Sequence, residues 1–308
     1  MQSIYAMHQN GSDNLEKQEK FLTASTENIL ELYLIMLSAL VEIRKKEVDF
    51  IEISKKKHLA TTAERNPNLR FVNNQILLAL EENNSLSIAV EKHKINNWII
   101  NDNTILSLLQ DIKNSSLYAK YMAKTTTTFE EDRHFVADMF AEIIAPNEVL
   151  YSYLEDFKLT WVDDIPMVNT QIHKELKQFS KEEDGFRITR LYKDIEDKDF
   201  ALILFRKTVL NEEKLTKEFQ DKTPNWDMER IAEVDTIILK MAICEFLNFP
   251  SIPVKVTINE YLEIAKEYST PKSSIFINGI LDNLIKEYAG TDKIKKIGRG
   301  LLSICTNR

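Results

Sequence analysis

Apolar residues recur at helical spacing in nearly every long segment of this chain. The i, i+3, i+4 spacing of an amphipathic helix predicts helices over residues 29–48, 68–81, 97–122, 135–145, 148–157, 197–209 and 230–249. Alternating strand patterns bounded by hairpin turn signals do not occur in the sequence. The predicted fold class is therefore all-α.

Polar stretches between these segments predict the connections. Residues 125–128 (TTTT) and the polar run 61–67 have the composition of loops. The last segment, 290–308, carries five basic side chains and one acidic one, and we expect it to be a basic flexible tail. The basic residues are Lys293, Lys295, Lys296, Arg299 and Arg308, and the acidic one is Asp292.

The chain also resembles itself. Residues 135–174 align with residues 200–240 at an offset near 65, with single-residue slips. Among the matches are Phe135 with Phe200, Asn147 with Asn211, and Trp161 with Trp226; VNTxIxK at 168–174 matches VDTxIxK at 234–240. A duplicated helical unit is the natural explanation. It could give two similar surfaces, or serve as scaffold only.

Composition and charge narrow the function classes. The 308 residues are 44% apolar, enough for a substantial core, and the formal net charge is −8. Cys244 and Cys305 cannot form a disulfide framework, and Cys244 in an apolar run reads as a buried reduced thiol. No apolar run approaches the roughly 20 residues of a membrane span, and no signal peptide is evident. We expect a cytoplasmic protein that does not bind membranes.

A search for catalytic chemistry finds little. Glu131-x-x-His134 has the spacing of helical di-metal sites, but the second copy that such sites need is missing from the sequence. Glycine-rich phosphate loops and paired Cys-x-x-Cys motifs are also missing. The sequence therefore predicts no enzyme, no metal site and no cofactor, and a binding or assembly protein instead.

One C-terminal stretch has an unusual surface. In KSSIFINGILD, residues 272–282, the turn pair Asn278-Gly279 lies inside a helical pattern. Phe276 lies at the edge of the predicted core stripe, with Lys272 and Gly279 one turn before and after it. This arrangement could stack an unpaired base and contact phosphate. Alternatively, Phe276 packs under a neighbouring helix and Gly279 allows close helix contact. The predicted core stripe is Ile277, Ile280, Leu281, Leu284 and Tyr288.

Residues 234–282 resemble a known family. The matching motifs are DxxILxxAxxE at 235–245, PxKVxINE at 253–260, AK at 265–266 and KSxxFxNGxLD at 272–282. Together they are similar to the C-terminal part of the transcription antitermination factor NusB family. The first residues, MQSIYAMHQ, resemble part of that family's first helix, without the arginine-rich leader that precedes it there.

The resemblance implies an all-α, NusB-like helical bundle with a large helical N-terminal elaboration. The expected domains are 1–195 with a family-like first helix and an insertion, 196–289 as the NusB-like part, and 290–308 as the tail. It also implies a non-catalytic antitermination factor of the RNA polymerase complex. Such a factor binds boxA-type single-stranded RNA of ribosomal RNA leaders together with ribosomal protein NusE.

Site residues carry over by position. The resemblance implies RNA contacts by Gln2, Tyr5, Lys272 and Phe276, and partner contacts by Asp235, Lys240 and Glu245. Asp235 could instead be an exposed helix residue only, and Glu245 could cap a neighbouring helix.

Charge favours a local RNA site. Residues 240–308 carry ten basic and seven acidic side chains, which gives +3 and leaves −11 for residues 1–239. The acidic part could receive a basic partner.

The sequence is compatible with two other functions. One is a protein-only scaffold of the antitermination or ribosome-assembly machinery that has no RNA binding of its own. The other is an RNA-modifying enzyme, because a related helical domain precedes the catalytic domain of some ribosomal RNA cytosine methyltransferases. We expect that the protein is not such an enzyme, since the sequence given ends soon after the NusB-like part and leaves no room there for an α/β methyl-donor domain with its nucleophilic cysteine.

Overall fold

The computed structural model describes residues 1–180, 186–192, 194–220, 222, 231–291 and 293–303, with 302 and 303 by backbone only. Within these ranges the chain forms helices and turns and no β-strand, which confirms the all-α class. The helices are α1 Gln2–Gln9, α2 Leu15–Lys55, α3 Thr62–Arg65, α4 Gln75–Glu81, α5 Asn84–Lys92, α6 Asn97–Ile100, α7 Asp102–Asn114, α8 Ser116–Met122, α9 Phe129–Met139, α10 Glu148–Phe157, α11 Ile165–Gln178, α12 Ile195–Leu210, α13 Glu212–Gln220, α14 Glu233–Asn248, α15 Val254–Tyr268 and α16 Pro271–Thr291. A π-helical turn, Phe140–Ile144, continues α9, and 3-10 turns occur at Leu159–Trp161 and Gly298–Ser303.

The chain divides into two compact units. The central unit is Ser25–Leu191, and the terminal unit combines Met1–Ala24 with Tyr192–Arg308. This corrects the predicted boundary at residue 195, which placed the first helix with the N-terminal region. Ile4 and Met7 of α1 are buried in the same apolar cluster as α14 and α16, because α1 buries its apolar face in the terminal unit.

Polar caps decide where several helices of the central unit begin. The side chain of Asn74 accepts hydrogen bonds from the N–H groups of Ile76 and Leu77 and starts α4. The observed helix therefore begins at Gln75, seven residues later than the predicted start at residue 68. Ser115 caps α8 in the same way, and a second break at Asn101 divides the predicted single helix 97–122 into three helices. The predicted loop 61–67 contains the short helix α3, which has a capping box between Thr61 and Glu64.

The core of the central unit is built around α2. Leu32, Leu34, Ile35 and Leu37 are fully buried there and share one cluster with side chains of α4, α7, α9, α10 and α11. Among the described residues α2 is the helix long and apolar enough to cross a membrane, contrary to the expectation that no such run exists. Its most apolar window is 56% buried inside the protein, as for a core helix.

In the terminal unit, α14 is the central helix. It is buried on nearly all sides and packs against α1, α12, α13, α15 and α16. This central position explains why α14 carries apolar residues on nearly all of its sides. The free thiol of Cys244 lies in this helix and is buried, as predicted, while Cys305 lies outside the described residues.

The prediction that residues 290–308 form a flexible basic tail is wrong for the described part of this segment. Helix α16 continues to Thr291, and residues 293–303 fold back onto the turn after α14. Buried Lys296 donates to the carbonyl oxygen of Phe249 at 3.0 Å, and the N–H of Ile297 donates to that of Pro250 at 3.0 Å. An ammonium group at the end of α14 suits the helix dipole there. Asp292 and residues 304–308 lie outside the described residues.

The sequence repeat has a structural counterpart. The first copy forms α9, α10 and α11 in the central unit, and the second forms α12, α13 and α14 in the terminal unit. Asn147 caps α10, and α13 begins directly after the matching Asn211. Trp161 is fully buried, and its match Trp226 lies outside the described residues.

Candidate nucleic-acid interface

Helix α16 carries the stretch KSSIFINGILD with the predicted face inward. Thr270 caps it by accepting a hydrogen bond from the N–H of Ser273 at 3.1 Å, just before Pro271. The predicted stripe is confirmed as core, since Ile277, Ile280, Leu281, Leu284 and Tyr288 are all buried. Helical periodicity therefore fixed the orientation of the flank on which Lys272 and Phe276 lie.

The flank of α16 is partly open to solvent. Lys272 is exposed, whereas Phe276 is half-buried and packs against the core of the terminal unit. Gly279 is exposed, and a methyl group added to it would meet no atom within 4 Å. Close helix contact, one of the two explanations offered above for Gly279, is thus wrong within the described chain.

The start of α1 lies near the start of α16. The side-chain amide of Gln2 donates to the hydroxyl oxygen of Tyr268 over a long 3.5 Å contact, and Tyr268 is the last residue of α15. Tyr5 follows Gln2 by three positions, so both lie on the same face of α1, and Tyr5 is exposed. The structure therefore brings Gln2 to the turn that leads into Lys272.

His8 fastens α1 to two other helices. Its Nε2 lies 2.8 Å from a carboxylate oxygen of Glu212 in α13, and its Nδ1 lies 2.8 Å from one of Glu233 in α14. Lys240 donates to the second oxygen of Glu212 at 2.7 Å. Burial alone would raise the pKa of Glu212, but hydrogen bonds from Lys240 and His8 outweigh it and lower that pKa.

Asp235 holds the turn between α15 and α16. It is buried in the first turn of α14, and its carboxylate accepts a hydrogen bond from the hydroxyl of Ser269 at 2.6 Å. Asp235 is therefore not the exposed helix residue that the alternative described. By fixing Ser269, it helps to set where α16 begins, with Lys272 in its first turn.

Glu245 joins α14 to α15. Its two carboxylate oxygens accept hydrogen bonds from Thr257 at 2.7 Å and from Tyr261 at 3.0 Å, and all three side chains are buried. Burial raises the pKa of Glu245 despite these two bonds. The bonds run to side chains rather than to a free helix end, so Glu245 is not a helix cap.

The three residues predicted to contact a protein partner all have internal partners. Lys240 pairs with Glu212, Asp235 with Ser269, and Glu245 with Thr257 and Tyr261. Because Asp235 and Glu245 lie below the surface, the geometry favours positioning roles for them. Direct partner contact by the three residues stays a prediction.

The C-terminal half of the chain matches a known protein family. The family model described as "NusB family" matches residues 162–286. A transcription antitermination protein NusB of Salinibacter ruber is 39% identical over 116 residues, which cover 38% of this chain and 72% of that protein. The chain belongs to the NusB family. The residues matched by the NusB family model thus include the second copy of the sequence repeat, residues 200–240. They continue through α14 and α15 into α16 as far as Lys286.

Other relatives carry the same name. The NusB antitermination protein of Koribacter versatilis is 42% identical over 105 residues, covering 33% of this chain and 72% of that protein. That of Clostridium kluyveri is 44% identical over 100 residues, covering 32% and 62%. A solved structure of T. maritima NusB is 27% identical and covers 55% of this chain and 98% of that chain, with a TM-score of 0.31.

Sequence reasoning missed the internal contacts of the NusB-like part. Neither the two carboxylates at His8 nor the bond from Ser269 to Asp235 was predicted. These pairs are 34 to 225 positions apart, and helical periodicity gives no information on which helices become neighbours. The sequence did contain one signal, because Asp235 and Glu245 occur among the apolar residues of α14. Polar side chains that are buried at such positions need hydrogen-bond partners.

Proposed function

We propose that this NusB-family protein is a non-catalytic, cytoplasmic antitermination factor that binds boxA-type single-stranded RNA of ribosomal RNA leaders. It acts together with ribosomal protein NusE in the RNA polymerase antitermination complex. The observation that carries the RNA part is the open backbone at Gly279 beside Phe276 and Lys272 on the solvent flank of α16.

The chemistry of this flank suits an unstacked base. The exposed part of the Phe276 ring offers a stacking surface, and the Lys272 ammonium one turn earlier can meet a phosphate. A glycine inside a helix costs about 1 kcal/mol relative to alanine. No neighbouring atom of the described residues requires glycine at position 279, so close approach of a ligand to the backbone accounts for it.

Residues at the start of α1 extend this surface. Gln2 reaches the end of α15, and Tyr5 on the same face of α1 is exposed. An amide and a phenol can hydrogen-bond base edges or stack with bases. The four predicted RNA residues, Gln2, Tyr5, Lys272 and Phe276, thus all belong to the terminal unit.

Fluorescence anisotropy with a labelled boxA-type RNA and purified NusE tests the proposal. Phe276→Leu keeps an apolar side chain in the core but loses the aromatic face, and we expect about tenfold weaker RNA binding. Lys272→Ala should weaken binding and lower the salt dependence by about one counterion. Lys286→Ala, an exposed lysine further along the same helix, is the matched control and should leave RNA binding unchanged.

The outcomes separate the two remaining functions. If Phe276→Leu and Lys272→Ala bind RNA as tightly as Lys286→Ala does, the RNA surface on α16 is refuted. If the unmodified chain binds NusE but no RNA, the protein-only scaffold replaces the proposal.

A further inference from the structure

The terminal unit contains a groove at the far end of α15 from the RNA surface. Its floor is apolar, and the rings of Phe200 and Phe249 pack there with centroids 4.9 Å apart. Ile203 of α12 and Val256 of α15 add exposed apolar side chains, 40% and 45% exposed. The cavity measures about 700 Å³, which is large enough for several side chains.

One wall of this groove is acidic. Glu196, Asp197 and Asp199 of α12 line it together with Asp194, while Arg299 is the one cation among the described lining residues. The carboxylate of Asp194 is used as a cap, since it accepts the N–H of Asp197. Glu196 and Asp199 are exposed, and neither forms an ion pair with another described residue. We call this site, between α12 and the turn from Phe249 to Val256, the acidic groove.

We propose that the acidic groove receives a basic segment of the protein partner, one whose lysine or arginine side chains flank two or three apolar side chains. The inference rests on the proposed function, because it assigns a place to the protein partner of that complex. Charge complementarity identifies the occupant, since the apolar floor favours burial of apolar side chains and the carboxylates favour cations. Excess negative charge also disfavours nucleic acid in the groove.

The location allows both ligands to bind together. Val256 in the groove and Tyr268 beside the RNA surface are 12 positions apart on α15, or about 18 Å along the helix axis. The residues predicted earlier for the partner, Asp235, Lys240 and Glu245, are engaged inside the unit. The acidic groove instead offers side chains at the surface.

Purified NusE serves as the probe, with the full chain immobilised and binding measured by interferometry. Glu196→Lys with Asp199→Lys should weaken NusE binding about tenfold or more, because the new ammonium groups repel a basic segment. Ile203→Ser should weaken it through the floor without a change in charge. BoxA-type RNA binding in the absence of NusE should not decrease in any of these variants.

The control changes net charge by the same amount elsewhere in the terminal unit. Asp13→Lys with Glu213→Lys replaces two exposed acids outside the groove and should leave NusE binding within about twofold, the range expected of rim charges. Equal NusE binding by the groove and control variants would overturn the groove and leave the proposed function standing. Failure of the unmodified chain to bind NusE at all would overturn the partner proposal and the groove with it.

Discussion

Single residues explain how the NusB-like part presents its surface. Gly279 is the clearest example, because the helix accepts its conformational cost although no neighbouring atom in the described part of the chain requires the absence of a side chain. Asp235 has a positioning role, since its hydrogen bond with Ser269 fixes the turn before Lys272. The residues expected to touch RNA and those that position them are therefore different, although both lie in one family motif region.

Gly279→Ala separates stability from binding. We expect the free energy of unfolding to rise by about 0.5–1 kcal/mol, because alanine restricts the unfolded chain and favours helix. RNA affinity should fall, because the methyl group occupies the space of an approaching ligand. Urea unfolding and RNA anisotropy measure the two effects. Gly290→Ala on the same helix, also with open surroundings, should change stability only; unchanged RNA affinity in Gly279→Ala would exclude backbone approach.

Asp164 in the central unit gives a pH-dependent contribution. Burial, and then the charge of Asp163, raise its pKa from the ordinary 3.8 to about 6. The folded state therefore holds this proton more tightly than the unfolded state, so stability falls as pH rises from about 4 to about 6. Asp164→Asn removes this titration. It should raise stability relative to the unmodified chain at about pH 8 and change it least at about pH 4; urea unfolding followed by tryptophan fluorescence tests this. The same difference at both pH values would contradict the prediction.

At the residue scale, sequence alone predicted orientation better than contacts. The stripe from Ile277 to Tyr288 is buried as predicted, because one helical period relates its members. The burial of Asp235 was not predictable, since it depends on Ser269, which lies 34 positions away. A family motif preserves such a residue whether it contacts a partner or positions a turn, so the motif alone does not separate the two roles.

At the scale of elements, helix type was predicted well and helix ends poorly. Residues 148–157 form α10 as predicted, whereas 97–122 breaks at Ser115, whose side chain competes for the backbone. The segment after α16 shows the same limit. Its basic composition suggested a free tail, but Lys296 is buried against the end of α14, and composition does not reveal that docking.

Gly300→Ala tests the docking of this C-terminal segment. A methyl group at Gly300 would collide with the carbonyl oxygen of Pro250, so we expect residues 293–303 to detach. Limited trypsin digestion should then cleave after Lys295 and Lys296 at least about tenfold faster, because local opening controls cleavage. Leu301→Ala, at a neighbouring exposed side chain, should not accelerate cleavage. Equal rates for both variants would show that the segment stays docked or is not held by this contact.

At the scale of the whole molecule, the chain builds two separate cores. The cluster around α2 contains residues of the central unit, and the cluster around α14 contains residues of the terminal unit. The sequence predicted an elaborated NusB-type protein but assigned the first helix to the wrong unit. Chain order does not predict this, because the contact between α1 and α14 joins residues as far apart in sequence as His8 and Glu233, which are separated by 225 positions.

Leu108→Ala tests whether the cores are independent. Leu108 is fully buried in the central unit, and its truncation should destabilise that unit by about 2–5 kcal/mol. Hydrogen exchange should rise in residues 25–55 of α2 and in α7 but not in α14 or α16, and RNA binding should be unchanged. Leu281→Ala, buried in the terminal unit, should give the reverse pattern. Equal loss of protection in both units after either change would mean that they unfold as one block.

The π-helical turn at Phe140–Ile144 coincides with a difference in length between the two copies of the sequence repeat. Phe140 and Asn147 are seven positions apart, whereas their counterparts in the second copy, Phe205 and Asn211, are six apart. The first copy therefore holds one extra residue within this interval, and there the N–H of Ala145 bonds to the carbonyl of Phe140, five positions back, at 2.8 Å. A wider turn absorbs one residue without shifting the helix after it. The two copies thus differ by one residue in this interval, and the wider turn accommodates it locally, so that a helix begins directly after Asn147 as it does after Asn211.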